Sequence, residues 1–312
     1  MVSIIITLYN KENTIKRTIL SALEQTYKDI EIIVVNDCST DNSLNICNEF
    51  CPNIKVITTD QNYGLPKARQ VGIKHTNGDY ITFIDADDYL SKDAINRCIM
   101  SQKKSDADIV QMKIIRRLTK WGIPVKFRSN YDATQALNAC LYNEQLFPVQ
   151  CCGKLYKSKL IKSATSIPYN GFWGEDRIFN LPIYATTPKI EYVPTAHYNY
   201  SWGGRTSSTF NLESLQGYKD VYQLKYNWAL DNGFQQYIGA LQNELIELLK
   251  YHIRHLINSK SMSKDVAIEY LQAELSQPFW SSFQLSSAEA LYMTEKKSFS
   301  RVLKKSILNI IG

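Results

Sequence analysis

No run of apolar residues in this 312-residue sequence approaches the roughly 18 needed for a membrane-spanning helix. The apolar opening, Met1 to Thr7, is too short for a secretory leader and lacks a basic flank. The expectation is a cytoplasmic chain that neither spans a membrane nor is exported. C-x-x-C spacing is missing, and the seven cysteines (Cys38, Cys47, Cys51, Cys98, Cys140, Cys151 and Cys152) have no neighbouring histidines to complete a zinc site. They read as reduced thiols. Neither G-x-G-x-x-G nor G-x-x-x-x-G-K-[ST] occurs, so dinucleotide redox chemistry and P-loop phosphoryl transfer lose their usual fingerprints. Acids are missing from the last seventeen residues, which hold Lys296, Lys297, Arg301, Lys304 and Lys305, so the net charge of +6 falls to +1 for the rest of the chain. A basic tail is not the distributed positive face that nucleic acid requires, and nucleic acid is set aside as a partner.

What is present begins with an alternation of periods. A buried strand at Val2 to Thr7 is followed by a helix carrying Ile15, Ile19, Ala22 and Leu23, then by the β-branched run Ile30 to Val35. A second helix follows Asp41 as N-cap, with Leu44, Cys47 and Cys51 on one face. Then come a strand at Lys55 to Thr59, a helix at Leu65 to His75 and a strand at Tyr80 to Ile84. Strands alternating with helices predict an α/β fold, a mostly parallel sheet flanked by helices. Ligands of such sheets bind beyond the carboxyl ends of the strands, where Asn10, Asp37, Asn62 and Asp85 to Asp88 fall. Pro278 is the only proline after Pro194, so Leu212 to Leu275 reads as several helices. The expected division is 1–209, with a helical C-terminal region over 210–312.

The sharpest chemical signal is Thr82-Phe-Ile-Asp-Ala-Asp-Asp88, a hydrophobic strand ending in three acids. If the segment stays extended, Asp85 and Asp87 project to one side and offer hard oxygens to Mg²⁺ or Mn²⁺ shared with phosphate. The plainer alternative is a helix N-terminal acid cluster ahead of Ser91. Asp37 ends another strand, where its carboxylate suits the ring N–H of a base such as uracil or simply caps a turn. Asn62-Tyr63-Gly64 with Ala68-Arg69 supplies a close backbone approach and a guanidinium, for phosphate or for a strand-end acid. Trp173 and Trp202, both in glycine-containing loops, are candidates to stack on a sugar ring or to fill a core.

The ordered set Thr7-Leu8-Tyr9-Asn10 with Glu12, Val34 to Asp41, Asn62 to Arg69 and Phe83 to Asp88 resembles the donor-binding half of family 2 glycosyltransferases, which have the Rossmann-like GT-A fold. Cys152-Gly-Lys154-Leu-Tyr156 is similar to the family's Asn-Lys-Leu-Tyr segment, and Gly174-Glu175-Asp176 to its Glu-Asp motif. The resemblance spans roughly two thirds of the chain and divides it into nucleotide-sugar binding at 1–100 and an acceptor and catalytic part at 101–209. It implies that Asp37 contacts the base, Asp85 the ribose or sugar, and Asp87 a divalent metal, Mn²⁺ or Mg²⁺. Thr7, Tyr9, Asn10, Glu12, Asn62, Gly64, Arg69, Ala86 and Lys154 complete the donor site. Asn199-Tyr200-Ser201 stands where the family often has Tyr-Tyr-Arg, and Arg205 with Thr206 and Ser207 is the candidate to replace that pyrophosphate contact. His197, on the strand-like run Tyr192 to Tyr200, is either a further metal or phosphate ligand or a structural histidine.

The implied reaction moves a sugar from a nucleotide-diphosphate donor, UDP ahead of dTDP, to a hydroxyl of a glycan or lipid-linked glycan. Asp176 would be the base and Glu175 its orienting or acceptor-gripping neighbour; the alternative is an acid pair favouring a helix N-terminus. A nucleotidyltransferase would also use Asp-x-Asp, but it would show a glycine- and base-rich N-terminal phosphate loop. A non-catalytic scaffold would not need Asp85, Asp87 and Asp176 together. In the tail, 296–312, Phe299, Val302, Leu303, Ile307 and Ile310 recur at helical spacing opposite its cations, which reads equally as a peripheral anchor at the inner membrane face or as a helix packed on the core or on a second subunit.

Overall fold

Val2 to Leu8 shows no polar alternation, and all seven residues are buried, as expected of a parallel strand covered on both faces. This is β1 (Val2–Leu8), paired in parallel with β2 (Ile30–Asn36) and β4 (Tyr80–Asp85), with β3 (Lys55–Thr58) beyond β2. The crossovers carry α1 (Ile15–Leu23), α2 (Ser43–Asn48) and α3 (Leu65–Lys74); α1 buries Ile15, Ile19 and Ala22, and α3 packs on β1 and β2. The computed structural model describes residues 1–117, 123–124, 131–141, 149–164, 167–169, 171, 174–201, 212–258, 269, 273–274 and 277–281. Trp173, Trp202, Arg205, Thr206, Ser207 and the basic tail lie outside them.

Past residue 85 the sheet becomes mixed. The later strands are β5 (Tyr89–Leu90), β6 (Ile109–Arg117), β7 (Ile123–Pro124), β8 (Lys154–Lys157) and β9 (Ile190–Ser201), and the spatial order is β3-β2-β1-β4-β8-β6-β9-β5, with β7 on β6. β8 runs antiparallel to both β4 and β6, and β5 antiparallel to β9, while β6 and β9 are parallel. The alternation of strands and helices in the first hundred residues specifies the parallel half; the antiparallel joins belong to the irregular middle, whose periodicity names no partner. The β6–β9 register shifts between Met112 and Lys113, whose partners jump from Val193 to His197 across Pro194, a residue with no N–H for a ladder. Gly153 just ahead of β8 has φ +67, and a Cβ there would meet Ile114 and Tyr198 at 3.2 and 3.3 Å. Glycine suits both the turn and the close approach at a place where the related motif often carries asparagine.

α4 (Ala94–Ser105), α5 (Ala133–Leu141), α6 (Ser158–Ser163) and α7 (Glu175–Ala185) complete this part, and α4 packs on β6 and β9. All seven cysteines are free. Cys51, expected on the inner face of α2, lies past its end and is exposed, since a residue preceding proline is disfavoured in helical conformation. Beyond 201 follow α8 (Leu212–Asp231), α9 (Ile238–Asn258) and α10 (Pro278–Ser281). The chain divides into two compact units, 1–209 with 223–237, and 210–222 with 238–312. In the second, the buried Lys219 ammonium donates to Glu274 and Gln277 at 2.7 Å each, and Trp280 Nε1 donates to the same glutamate at 2.9 Å. Such a buried pair is tolerable only because its polar atoms are this well partnered. Among the described residues no helix is long and apolar enough to cross a membrane.

Candidate functional site

The carboxyl ends of β1, β2 and β4 lead into loops stitched to one another. Asn10, in left-handed conformation at φ 50, receives the Thr40 N–H at 2.8 Å, Glu12 receives the Asn42 N–H at 2.9 Å, and Asp41 receives the Glu12 and Ser43 N–H groups at 3.0 Å each. Asp41 thus serves the start of α2 although Asn42 holds the N-cap position. Tyr9, with 45% of its surface exposed, is left projecting from this tied loop. Asp37 is only 3% exposed and accepts from Thr59 Oγ1 and the Tyr63 N–H at 3.0 Å and from the Gly64 N–H at 2.7 Å. Its two oxygens have about four acceptor sites, three of which hold the 59–64 loop. Asn62 Oδ1 also accepts the Gly64 N–H, at 3.0 Å, and Gly64 itself adopts φ 83 and ψ 166, backbone reserved almost wholly for glycine.

The acidic strand end does not stay extended, which corrects the expected side-by-side projection of Asp85 and Asp87. The chain turns at Ala86 and Asp87, and the Asp88 N–H donates to the Asp85 carbonyl at 2.8 Å. Ala86 is buried, with its carbonyl taking Thr14 and Thr18 hydroxyls at 3.0 Å each. The turn sends the three acids to different partners. Asp85 meets Thr7 Oγ1 at 3.4 Å and Arg69 Nη2 at 3.6 Å, and burial pushes its carboxyl up despite that guanidinium. Asp87, about a quarter exposed, is ion-paired with Lys11. Asp88 is fully buried, accepting from Tyr198 Oη at 2.6 Å and the Ser201 N–H at 2.7 Å; burial first, then Asp85, pushes it up to about 8.

The second half of the site arrives through Arg69. Its guanidinium, 1% exposed, donates from Nη1 to Asp176 Oδ1 at 2.9 Å while Nη2 faces Asp85, so one cation joins the end of β4 to the start of α7. The Cys151 N–H also donates to Asp176 Oδ1, at 3.0 Å. Glu175 and Asp176 open α7, where acids oppose the positive end of the helix. Burial, then the neighbouring Asp176, pushes Glu175 up to about 8.

A carboxyl held this far above its ordinary value of 4.5 keeps a proton that the unfolded chain has released. Its contribution to stability is therefore full below about 4.5 and lost as pH rises through about 8. Asp88 acts in the same direction. Glu175→Gln should flatten the fall in unfolding free energy between pH 6 and pH 8 and exceed wild type by about 1–2 kcal/mol at the upper end, measured by urea titration; parallel curves would show an ordinary carboxylate.

Lys154 lies within electrostatic reach of Asp176 but is held by the protein, and His197 is not among the residues gathered at the carboxylates. Lys154 is fully buried with its ammonium on the Gln150 carbonyl, and burial pulls its pKa down. His197 neighbours Tyr198, whose side chain reaches Asp88, and strand alternation turns adjacent side chains to opposite faces. Among the described residues, the group whose potential ligand atoms lie within 4.8 Å of one another is Asp85, Asp88 and Cys152, without His197. Asp88 is spent on Tyr198 and Ser201, and burial holds the Cys152 thiol well above its ordinary range. Hard carboxylate oxygens at the turn are offered by Asp85, whose carboxyl burial pushes up, and by Asp87, which is ion-paired with Lys11, and the turn sends the two to different partners. Lys11, Tyr198 and Arg17, which donates to the Asp87 carbonyl at 2.6 Å, went unmarked in the sequence, although Lys11 sits between Asn10 and Glu12.

A parallel sheet with acids at its strand ends, extended by antiparallel strands that bring a helix-borne acid pair to them, is the GT-A arrangement. The crystal structure of Staphylococcus aureus TarS in complex with UDP-GlcNAc shares the fold, with a TM-score of 0.65 and 23% identity over 90% of this chain and 78% of that one. Residues 3–163 match the Glycosyl transferase family 2 domain, and the chain belongs to that family. Glycosyltransferase GlyA of Streptococcus pneumoniae is 29% identical over 212 residues, 64% of this chain and 30% of that protein. The poly(ribitol-phosphate) beta-glucosyltransferase of Bacillus spizizenii is 32% identical over 206 residues, 64% of this chain and 31% of that one. The chain matches under a third of the length of either relative.

Proposed function

We propose that this chain is an inverting glycosyltransferase that moves a sugar from a UDP-sugar to a hydroxyl of a glycan or lipid-linked glycan. The observation that carries the reading is the Asp85–Arg69–Asp176 bridge, which couples the strand-end acids to the acid pair on α7. The UDP-GlcNAc in the TarS structure and the sugar-transferring names of the relatives support the donor class.

A nucleotide-diphosphate leaving group departs without a carboxylic acid to protonate it, unlike the leaving group of a glycosidase. What the protein must supply is a grip on the nucleotide and a home for the acceptor's proton. Tyr9 offers a stacking face for the base beside the loop that Asp37 and Asn62 hold in shape. Asp87 with Asp85 would hold Mn²⁺ or Mg²⁺, which supplies positive charge against the departing diphosphate when bound. Lys11 adds its ammonium at the same turn. Asp176, its Oδ1 fixed by Arg69 and the Cys151 N–H, takes the hydroxyl proton on Oδ2. The new bond to the anomeric carbon forms as the bond to diphosphate breaks on the opposite face, and the configuration inverts. Glu175, protonated near neutral pH, donates a hydrogen bond to the acceptor and does not compete for its proton.

The test is calorimetric titration of wild type and Asp87→Ala with UDP, CDP, GDP and dTDP, with Mn²⁺ and with chelator. UDP should bind wild type with metal and lose about tenfold or more in the variant. Binding of no nucleotide under any condition would remove the donor site.

A further inference from the structure

Polar side chains recur along one face of α1 at positions 14, 17, 18, 21 and 25, from the N-cap Thr14 to Gln25 just past the helix end. All of them go to backbone groups of the acidic segment. The Thr14 and Thr18 hydroxyls meet the Ala86 carbonyl, Thr18 also lies 2.6 Å from the Asp88 carbonyl, and Arg17 Nη2 donates to the intervening Asp87 carbonyl at 2.6 Å. Ser21 Oγ accepts the Leu90 N–H at 3.2 Å, and the Gln25 amide donates to the Ser91 carbonyl at 2.8 Å while accepting the Ile95 N–H at 3.0 Å. One helix face thus clamps the chain from Ala86 to Ile95.

Within this clamp Asp87 is pinned from both sides. The peptide before its Cα has its carbonyl on the two threonines, and the peptide after it has its carbonyl on Arg17 and its N–H on the Asp85 carbonyl at 2.8 Å. Peptide planes are rigid, so holding both fixes φ and ψ of Asp87 and the direction in which its carboxylate leaves the backbone. The threonine half of the grip is built into the core, since Thr18 is wholly buried. The arginine half is exposed. Arg17 lies 4.7 Å over the Tyr89 ring and donates a second time, to Ser201 Oγ at 2.9 Å, so it also docks the end of β9 on the turn. The Asp87 carboxylate pairs with Lys11 and leaves Arg17 to the carbonyl.

We propose that Arg17 is a positioning residue of the donor site, one that aims the Asp87 carboxylate by holding the peptide between Asp87 and Asp88. The proposal rests on the reading of Asp87 as a donor-site carboxylate. Because the grip is on the backbone, its effect passes through Asp87 and vanishes once that carboxylate is removed. A cation acting at a distance on a bound diphosphate would be felt with or without Asp87.

UDP is titrated with Mn²⁺ into wild type, Arg17→Met, Arg17→Lys, Asp87→Ala and the Arg17→Met/Asp87→Ala double variant. Arg17→Met should bind UDP about tenfold more weakly at an unchanged urea midpoint, and the double variant should bind as Asp87→Ala does. Arg17→Lys should recover part of the loss, since an ammonium can still donate to the Asp87 carbonyl. Without nucleotide, the Asp88 amide of Arg17→Met should exchange with solvent about tenfold faster, while the Gly64 amide, held by Asp37, keeps its rate. The proposal is overturned if the losses add in the double variant, if lysine recovers nothing, or if the Asp88 amide does not respond. A lowered urea midpoint with both amides faster in step makes Arg17 a stability residue only and overturns it as well. UDP binding by wild type that Arg17→Met leaves unchanged removes this role alone, whereas no UDP binding by wild type under any condition removes the donor site and the role together.

Discussion

Asp176→Asn should leave UDP affinity within about threefold of wild type while cutting sugar transfer by about 10³-fold, the size of effect a positioned base supplies. The substitution keeps shape and the oxygen that matters structurally: an amide Oδ1 still accepts the Arg69 Nη1 and Cys151 N–H bonds, both of which fall on Oδ1. What disappears is the capacity to hold the acceptor's proton. Calorimetry with UDP and a UDP-release assay in the presence of acceptor measure the two quantities on one preparation. Transfer within about tenfold of wild type would take Asp176 out of the proton's path and turn attention to Glu175.

Arg69→Met should destabilise the fold by about 3 kcal/mol, the lower part of the range for removing one partner of a buried ion pair. Methionine fills most of the arginine stem's volume, so the loss is electrostatic. The guanidinium is 1% exposed, whereas Asp85 and Asp176 are 26% and 23% exposed, so water relieves part of the cost of leaving them together without a cation. A shift of the urea midpoint at unchanged slope reports the effect. In an Asp176→Asn background the same substitution should cost less, because only Asp85 is then left uncompensated. A loss below about 1 kcal/mol would mean that solvent already screens both acids.

The parallel half of the sheet was legible because β1, β2 and β4 are short, largely apolar, β-branched runs separated by helices of period near 3.6, a pattern with few alternative packings. Strand bounds from the pattern agree with the structure within one or two residues. The antiparallel insertion of β8 between β4 and β6 was not legible, since four residues of mixed character report no partner. The resemblance pointed to Asp85, Asp87 and Asp176 and to ligands for them, but not to the protein groups each touches, apart from the guanidinium of Arg69 on a strand-end acid. Lys154 shows why: the motif marks a lysine, and only the fold shows that it is buried, with its ammonium on the Gln150 carbonyl and within electrostatic reach of Asp176. The turn at Ala86 and Asp87 likewise depends on hydroxyls from Thr14 and Thr18, seventy or so residues upstream, which no local reading of the acidic strand end includes.

The Asp85 N–H, the Tyr198 hydroxyl and the Asp88 carboxylate form a relay from β4 to β9, closed by the Ser201 N–H. The acidic turn is thereby cast in a mould whose other half is encoded more than a hundred residues later. A chimera that grafts a foreign segment over β9 to change what the protein accepts would have to carry a phenol at 198 and a free backbone N–H at 201. Without them the recipient's own acidic turn would lose its shape, and an exchange intended to alter one substrate would disable the grip on the other.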